Sequence, residues 1–274
     1  MPARSRLGQN FLHDAAAIQR IVAALGDCAH RLVVEIGPGR GAITRLLAAR
    51  ARQVLAIELD PVLAAQLRET FPPERVTVVP IDVLDFDFAA TAAGAGERLI
   101  VVGNLPYYIT SPILLKLAAN AAALDSAVLM VQREVADRVV AAPGSRDYGL
   151  LSVTVQLHGP VQPLFTLPPA AFSPPPEVHS TVFRWRFEPR FQALGIEPEP
   201  FFVFLRQAFA QKRKTLANNL RAAGYPASQV QTALSIAAIS PATRAEALSI
   251  ETFAALWKSL RPNPAPSASS TPER

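Results

Sequence analysis

Cysteine is almost absent: Cys28 stands alone among 274 residues. That excludes an internal disulfide and a cysteine-rich metal site, and leaves Cys28 as a small buried hydrophobe in a reducing compartment. The four histidines, His13, His30, His158 and His179, share no metal-ligand spacing, so no metal is expected. Long apolar runs are lacking too. Half of the residues are hydrophobic, yet Asp, Glu, Lys or Arg interrupts every apolar run before the ~20 residues that a membrane span needs. The basic start, Met1 to Leu7, has no apolar centre and no cleavage site, so a secretory signal is not supported. The expectation is a soluble cytoplasmic protein with no membrane partner.

Charge is unevenly placed. Residues 1–189 carry 17 Lys or Arg against 17 Asp or Glu, whereas residues 190–274 carry 10 against 5. The whole excess of +5 lies in the C-terminal third. A one-sided basic balance points to a polyanion, because each neutralised phosphate releases counterions. A solvated Arg-rich face would read the same way from charge alone.

Short apolar segments alternate with helical ones along most of the chain. Phe11, Leu12, Ala15, Ile18, Val22 and Leu25 recur at helical spacing, predicting an amphipathic helix. Strands are predicted at Leu32 to Ile36, Val54 to Ile57, Val76 to Val79, Leu99 to Val102 and Ala127 to Val131, with helices from Ala42 to Arg50, from Pro61 and near Ser111. Such alternation means a mostly parallel sheet covered on both faces. Between Tyr148 and Val161 the pattern suits strand and helix equally. Five prolines in residues 167–176 exclude a central strand or helix there. Val178 to Phe187 is strand-like, and from Glu199 onward the chain turns helical, with further helices over Ser228 to Ile236 and Ile250 to Leu260. Three parts are expected: a catalytic domain over 1–190, a small all-α domain over 191–261 and a disordered tail over 262–274, rich in Pro, Ser and Ala.

Three acidic residues close three successive predicted strands: Glu35, Glu58 and Asp82. They line one rim of the sheet, able to take an amino acid end, a ribose and an adenine in turn. Gly37, Gly39 and Ala42 form a glycine turn between strand and helix, with Glu58 ~20 residues further on, which fits a nicotinamide or an adenosyl cofactor. Asp82 favours the adenosyl one. So does Asn104-Leu105-Pro106-Tyr107, which follows the apolar run Leu99 to Val102. An amide, a proline that fixes the backbone and an aromatic ring at a strand end can hold a flat base by its amino edge.

At these residues the chain resembles the class I S-adenosylmethionine-dependent methyltransferases, and Asn104 to Tyr107 looks like the Asn/Asp-Pro-Pro-Tyr motif of those that act on exocyclic amino groups. It is more closely similar to the rRNA adenine N6-dimethyltransferases, the bacterial 16S enzymes in particular. The matching segments are GQNFL from Gly8, VEIGPGRGAIT from Val34, IELD from Ile57, VGNLPYYITSPI from Val102, FSPPPEVHS from Phe172, QKRKTLANNL from Gln211 and TRAEALS from Thr243. They cover nearly the whole chain in the expected order.

The resemblance implies a Rossmann-like α/β fold with a mostly parallel seven-stranded sheet and a small all-α C-terminal domain that binds rRNA. It implies that Asn10 and Leu12 meet the methionine end of S-adenosylmethionine, that Gly37 lies under it, that Glu58 accepts the ribose hydroxyls and that Asp82 receives the adenine amino group. Asn104 would serve cofactor and target together. Leu105, Pro106 and Tyr107 would complete the target site, with Phe172 closing over a flipped adenine opposite Tyr107. Glu177 departs from the family, where Lys is expected, and puts one phosphate contact in doubt. The implied activity is dimethylation of two adjacent adenosines in the 3′-terminal hairpin of 16S rRNA within a 30S assembly intermediate, by a monomer. Two alternatives stay open: a 23S rRNA methyltransferase of the macrolide-resistance type, and a ribosome-assembly binding factor whose catalysis is dispensable.

Overall fold

A computed structural model describes residues 10–260. Gly8, Gln9 and the tail expected to be disordered over 262–274 lie outside the described residues. The chain divides into two compact units, one of residues 10–141 with 151–190, the other of residues 142–150 with 191–260.

The first unit is built on β1 (Phe11–Leu12), α1 (Ala15–Ala23), β2 (Leu32–Ile36), α2 (Ala42–Arg50), β3 (Gln53–Ile57), α3 (Pro61–Thr70), β4 (Val76–Val79), α4 (Phe88–Ala95) and β5 (Leu99–Asn104). It continues through α5 (Thr110–Ala119), β6 (Leu124–Gln132), α6 (Arg133–Val140), α7 (Leu150–Leu157), β7 (Val161–Leu167), β8 (Phe172–Ser173) and β9 (Ser180–Arg186). Seven strands form one sheet in the order β4-β3-β2-β5-β6-β9-β7. Six of them run in the same direction, and β9 alone is reversed, pairing antiparallel with both β6 and β7.

Alternation along each strand decides which face a side chain joins. Val33, Val54, Ile100, Val102, Val128 and Val182 pack on one side, against Ile18, Ile21 and Val22 of α1 and Ile43 and Leu47 of α2. Val34, Ile36, Val101, Leu129, Phe183 and Trp185 pack on the other, against Phe88 of α4 and Ile113, Leu114 and Leu117 of α5. Burial on both faces explains why the central strands are uninterrupted apolar runs. Helices α1, α3 and α4 start where an aspartate caps them. Asp14 accepts the Ala17 N–H at 2.9 Å, and Asp60 accepts the Val62 N–H at 2.8 Å ahead of Pro61, which needs no N–H partner.

The structure departs from the sequence-based expectation in several places. Phe11 and Leu12 do not extend the first helix; they pair antiparallel with Ser173 and Phe172 in a separate two-stranded sheet. Over Tyr148 to Val161 the helix prevails, as α7, and a strand, β7, follows it. Pro163 is tolerated there because β7 is an edge strand with a register shift at that point. Helix α4 escapes sequence reading because its Ala-rich run has no polar stripe.

The second unit is helical: α8 (Phe191–Leu194), α9 (Pro198–Ala208), α10 (Leu216–Ala222), α11 (Ala227–Ile236) and α12 (Ile250–Leu260). Its core is aromatic. Phe201 meets Trp257 edge-on with ring centroids 5.6 Å apart, and Phe204 meets Phe253 at 6.2 Å.

Candidate active site

Strand order reverses direction at β2, with β3 and β4 on one side and β5 and β6 on the other. Ligands of doubly wound sheets bind at the carboxyl ends of the strands at such a switch point. A cleft of about 200 Å³ opens there, lined by Asn10, Phe11, Leu12, Glu35, Gly37, Glu58 and Asn104 to Tyr107, among others. A smaller cavity of about 60 Å³ takes in Asp82, Leu59, Ile81 and Tyr108. Gly37, Glu58 and Pro106 line both, so the two adjoin as one trough.

The floor is the glycine turn after β2. Gly37, Gly39 and Gly41 all have positive φ, at +65°, +56° and +77°, a region costly to any side chain. Glu58, at the end of β3, fixes this turn: its carboxylate accepts the Gly39 N–H at 3.0 Å and the Asp60 N–H at 2.9 Å. Burial nonetheless pushes the Glu58 acid upward. Asp82 is held by the Leu84 N–H at 2.9 Å.

Glu35 is the most unusual group. It is 1 % exposed, and its Oε2 has no hydrogen-bond partner. Burial drives its acid up to about 7, tempered by Thr44 at the start of α2 and reinforced by the charge of Glu58. A buried carboxylate oxygen without a partner, lining a cleft, calls for a donor or a cation from a ligand.

On the other side of the glycine turn, β5 delivers the segment from Asn104 to Tyr107. Gly103 pairs with Ile36 of β2, and a Cβ at Gly103 would stand 2.8 Å from the Ile36 carbonyl oxygen. Glycine is required for β5 to end this close to the glycine turn. The Asn104 amide Nδ2 donates to the Asn10 carbonyl at 3.0 Å, so the end left for a ligand is the acceptor oxygen. The Leu105 N–H is used by the Met130 carbonyl at 2.9 Å, which fixes the peptide that follows Asn104. Tyr107 is half-buried, and its hydroxyl lies 2.7 Å from that of Ser180.

Ten residues were expected at the site: Asn10, Leu12, Gly37, Glu58, Asp82, Asn104, Leu105, Pro106, Tyr107 and Phe172. The trough brings nine of them together. Phe172 is the exception. It is 2 % exposed and packs in the core, because alternation along β8 turns its ring inward and gives the cleft Ser173 instead. Sequence reasoning did not single out Phe11, Arg40 or Ser180. Arg40 stacks over the Phe11 ring at 4.4 Å, and Gly39 lies under that ring, where a Cβ would come within 3.0 Å. All three stand inside segments the sequence did mark: GQNFL, VEIGPGRGAIT and FSPPPEVHS.

Fold and site together define a doubly wound α/β methyltransferase. The chain belongs to the ribosomal RNA adenine dimethylase family, whose model matches residues 2–261. It is 59% identical over 258 residues to the ribosomal RNA small subunit methyltransferase A of Acidobacterium capsulatum, covering 94% of this chain and 91% of that one. It is 48% identical over 270 residues to the protein of the same name from Koribacter versatilis, covering 94% of each. Among solved structures it is similar to the 23S rRNA methyltransferase ErmE, with 29% identity, a TM-score of 0.68 and coverage of 92% of this chain and 99% of that one. A dimethyladenosine transferase from Plasmodium falciparum, at 23% identity, shares the fold with a TM-score of 0.76 over 90% of this chain and 95% of that one. The chain is therefore an rRNA methyltransferase. No helix among the described residues is long and apolar enough to cross a membrane, and no group of three or more His, Cys, Asp or Glu among them could hold a metal ion.

Proposed function

We propose that this chain dimethylates N6 of two adjacent adenosines in the 3′-terminal hairpin of 16S rRNA, using S-adenosylmethionine and no metal. It would act as a cytoplasmic monomer on a 30S assembly intermediate. The observation that carries the reading is a pair of residues lining one cleft at the switch point: an Asn104 amide bonded through its nitrogen to Asn10, and a buried Glu35 oxygen that has no partner. The first accepts hydrogen bonds from an amino group; the second accepts an ammonium.

The donor set fits the cofactor. Glu35 would meet the ammonium of its methionine end, with Asn10 and Leu12 alongside and Gly37 beneath. Glu58, already anchored to the glycine turn, would accept the ribose hydroxyls, and Asp82 the adenine amino group. Bound there, S-adenosylmethionine supplies a sulfonium methyl group as electrophile.

The chain's own residues do the rest. The N6 lone pair of adenine is delocalised into the ring and is a poor nucleophile while the amino group stays planar. The Asn104 oxygen and the Leu105 carbonyl accept its two N–H bonds and favour a pyramidal nitrogen. The same acceptors stabilise the positive charge that develops on N6. Pro106 holds the turn and asks for no partner of its own. Holding N6 in line with the methyl group contributes roughly 7 kcal/mol or more. No strong base is needed, since the methylated nitrogen is acidic and its proton passes from these acceptors to water. The target base must leave its stack, and stacking on Tyr107 offsets a cost of a few kcal/mol. The second wall expected at Phe172 is not part of this reading, because that ring belongs to the core.

Small-subunit specificity rests on the names and identities of the relatives, and phosphate contact is assigned to the exposed Lys212, Arg213 and Lys214 in the second unit. The likeness to ErmE supports a second reading, methylation of 23S rRNA. Mass spectrometry of 16S rRNA from cells lacking the gene decides between them. The first reading predicts loss of the two dimethyladenosines; their persistence, or a new macrolide sensitivity traced to unmethylated 23S rRNA, overturns it.

A further inference from the structure

Ser180 opens β9 and is fully buried, flanked by Gln132 of β6 and Leu167 of β7. Three strands therefore fix where its hydroxyl stands. That hydroxyl lies 2.7 Å from the Tyr107 hydroxyl, at the cleft. Tyr107 itself sits on weak local structure. It begins a single 3-10 turn, Tyr107–Ile109, tied by the Ile109 N–H and the Thr110 hydroxyl to the Pro106 carbonyl at 3.2 and 3.0 Å. Those bonds hold the backbone and leave the ring to rotate about its side-chain torsions. The next residue, Tyr108, has no such partner among the described residues and is 56% exposed on the neighbouring cavity.

We propose that Ser180 is a positioning residue for the target base: its hydroxyl pins the Tyr107 ring to the sheet, in the plane on which the extruded adenine stacks. The inference rests on the reading of Tyr107 as the base wall. It assigns a role to a part of the FSPPPEVHS segment that the cofactor and target contacts leave without one. A stacking surface held before the base arrives loses no side-chain freedom on binding. Burial raises the Tyr107 phenol above its ordinary range, so the hydroxyl stays protonated and the tether intact across the working pH.

Ser180→Ala, Tyr107→Phe and the double variant each remove the same single bond, and their methyl-transfer kinetics on unmethylated 30S subunits separate positioning from packing. Each single change is expected to lower kcat/KM for the subunit roughly 3- to 10-fold, with affinity for S-adenosylhomocysteine unchanged and the double variant no worse than Tyr107→Phe. A further loss on adding Ser180→Ala to Tyr107→Phe, or an unchanged kcat/KM in both single variants, overturns the proposal. Tyr107→Phe leaves Ser180 in place, so it remains informative if Ser180→Ala fails to fold. Tyr107→Ala tests the reading beneath: full activity there removes the ring as base wall, whereas lost activity with silent Tyr107→Phe and Ser180→Ala removes only the tether.

Discussion

Asn104 and Glu35 line the same cleft from adjacent strands and differ in what they need: the Asn104 amide nitrogen is already bonded to Asn10, and the Glu35 carboxylate has an oxygen without a partner. Asn104→Ala removes an acceptor aimed at developing charge, so kcat for methyl transfer should fall ~10²-fold or more; single-turnover rates on 30S subunits check this. A variant that loses methylation yet fully restores subunit maturation would favour the binding-factor alternative. Glu35 gives a pH prediction with a definite sign. Its folded-state pKa, about 7, is above the ordinary value of 4.5, so the unliganded fold binds more protons than the unfolded chain between those values. The contribution is fully present below pH 4.5 and is lost as pH rises through 7, amounting to about 3 kcal/mol. Cofactor affinity should run the other way, strengthening as pH rises through 7 and the carboxylate ionises. Glu35→Gln should flatten both dependences, measured by chemical denaturation and by titration with S-adenosylhomocysteine from pH 5.5 to 8.5.

The site depends on how closely β5 approaches β2. A methyl group at Gly103 would stand 2.8 Å from the Ile36 carbonyl, a backbone atom that cannot swing aside. Gly103→Ala should therefore cost roughly 1–3 kcal/mol of stability and displace Asn104 from the glycine turn, so that kcat falls along with the denaturation midpoint. The elements that carry this geometry were the legible ones. Helix α2 and strands β2 and β4 are read from sequence at their observed limits, because an apolar run bounded by glycine or proline leaves little choice. What was hidden depends on partners distant in sequence. Phe11 and Leu12 look helical until β8 pairs with them, and Phe172 looks like a site aromatic until alternation along β8 turns it into the core. The Tyr107–Ser180 contact joins residues 73 apart and leaves no local pattern at all.

Over the whole molecule, charge is balanced in residues 1–189 and in excess by five positive charges in residues 190–274, which is where the proposed function puts the rRNA contact. Replacing Lys212, Arg213 and Lys214 with Glu should weaken rRNA binding strongly and lessen its dependence on salt, because fewer counterions are released. S-adenosylhomocysteine affinity should stay as it is. The charge excess is legible from composition; the division of the chain is less so, since residues 142–150 join the helical unit although the chain on both sides of them belongs to the sheet.

On the proposed function, the clamp from Asn104 to Tyr107 holds adenine N6 of small-subunit rRNA. The most direct measurement is methyl transfer from labelled S-adenosylmethionine to unmethylated 30S subunits, naked 16S rRNA and naked 23S rRNA, with the product nucleosides identified by mass spectrometry. N6,N6-dimethyladenosine should appear at two adjacent positions of the 30S subunits and nowhere in 23S rRNA. Label found in 23S rRNA, or on any atom other than adenine N6, would contradict it.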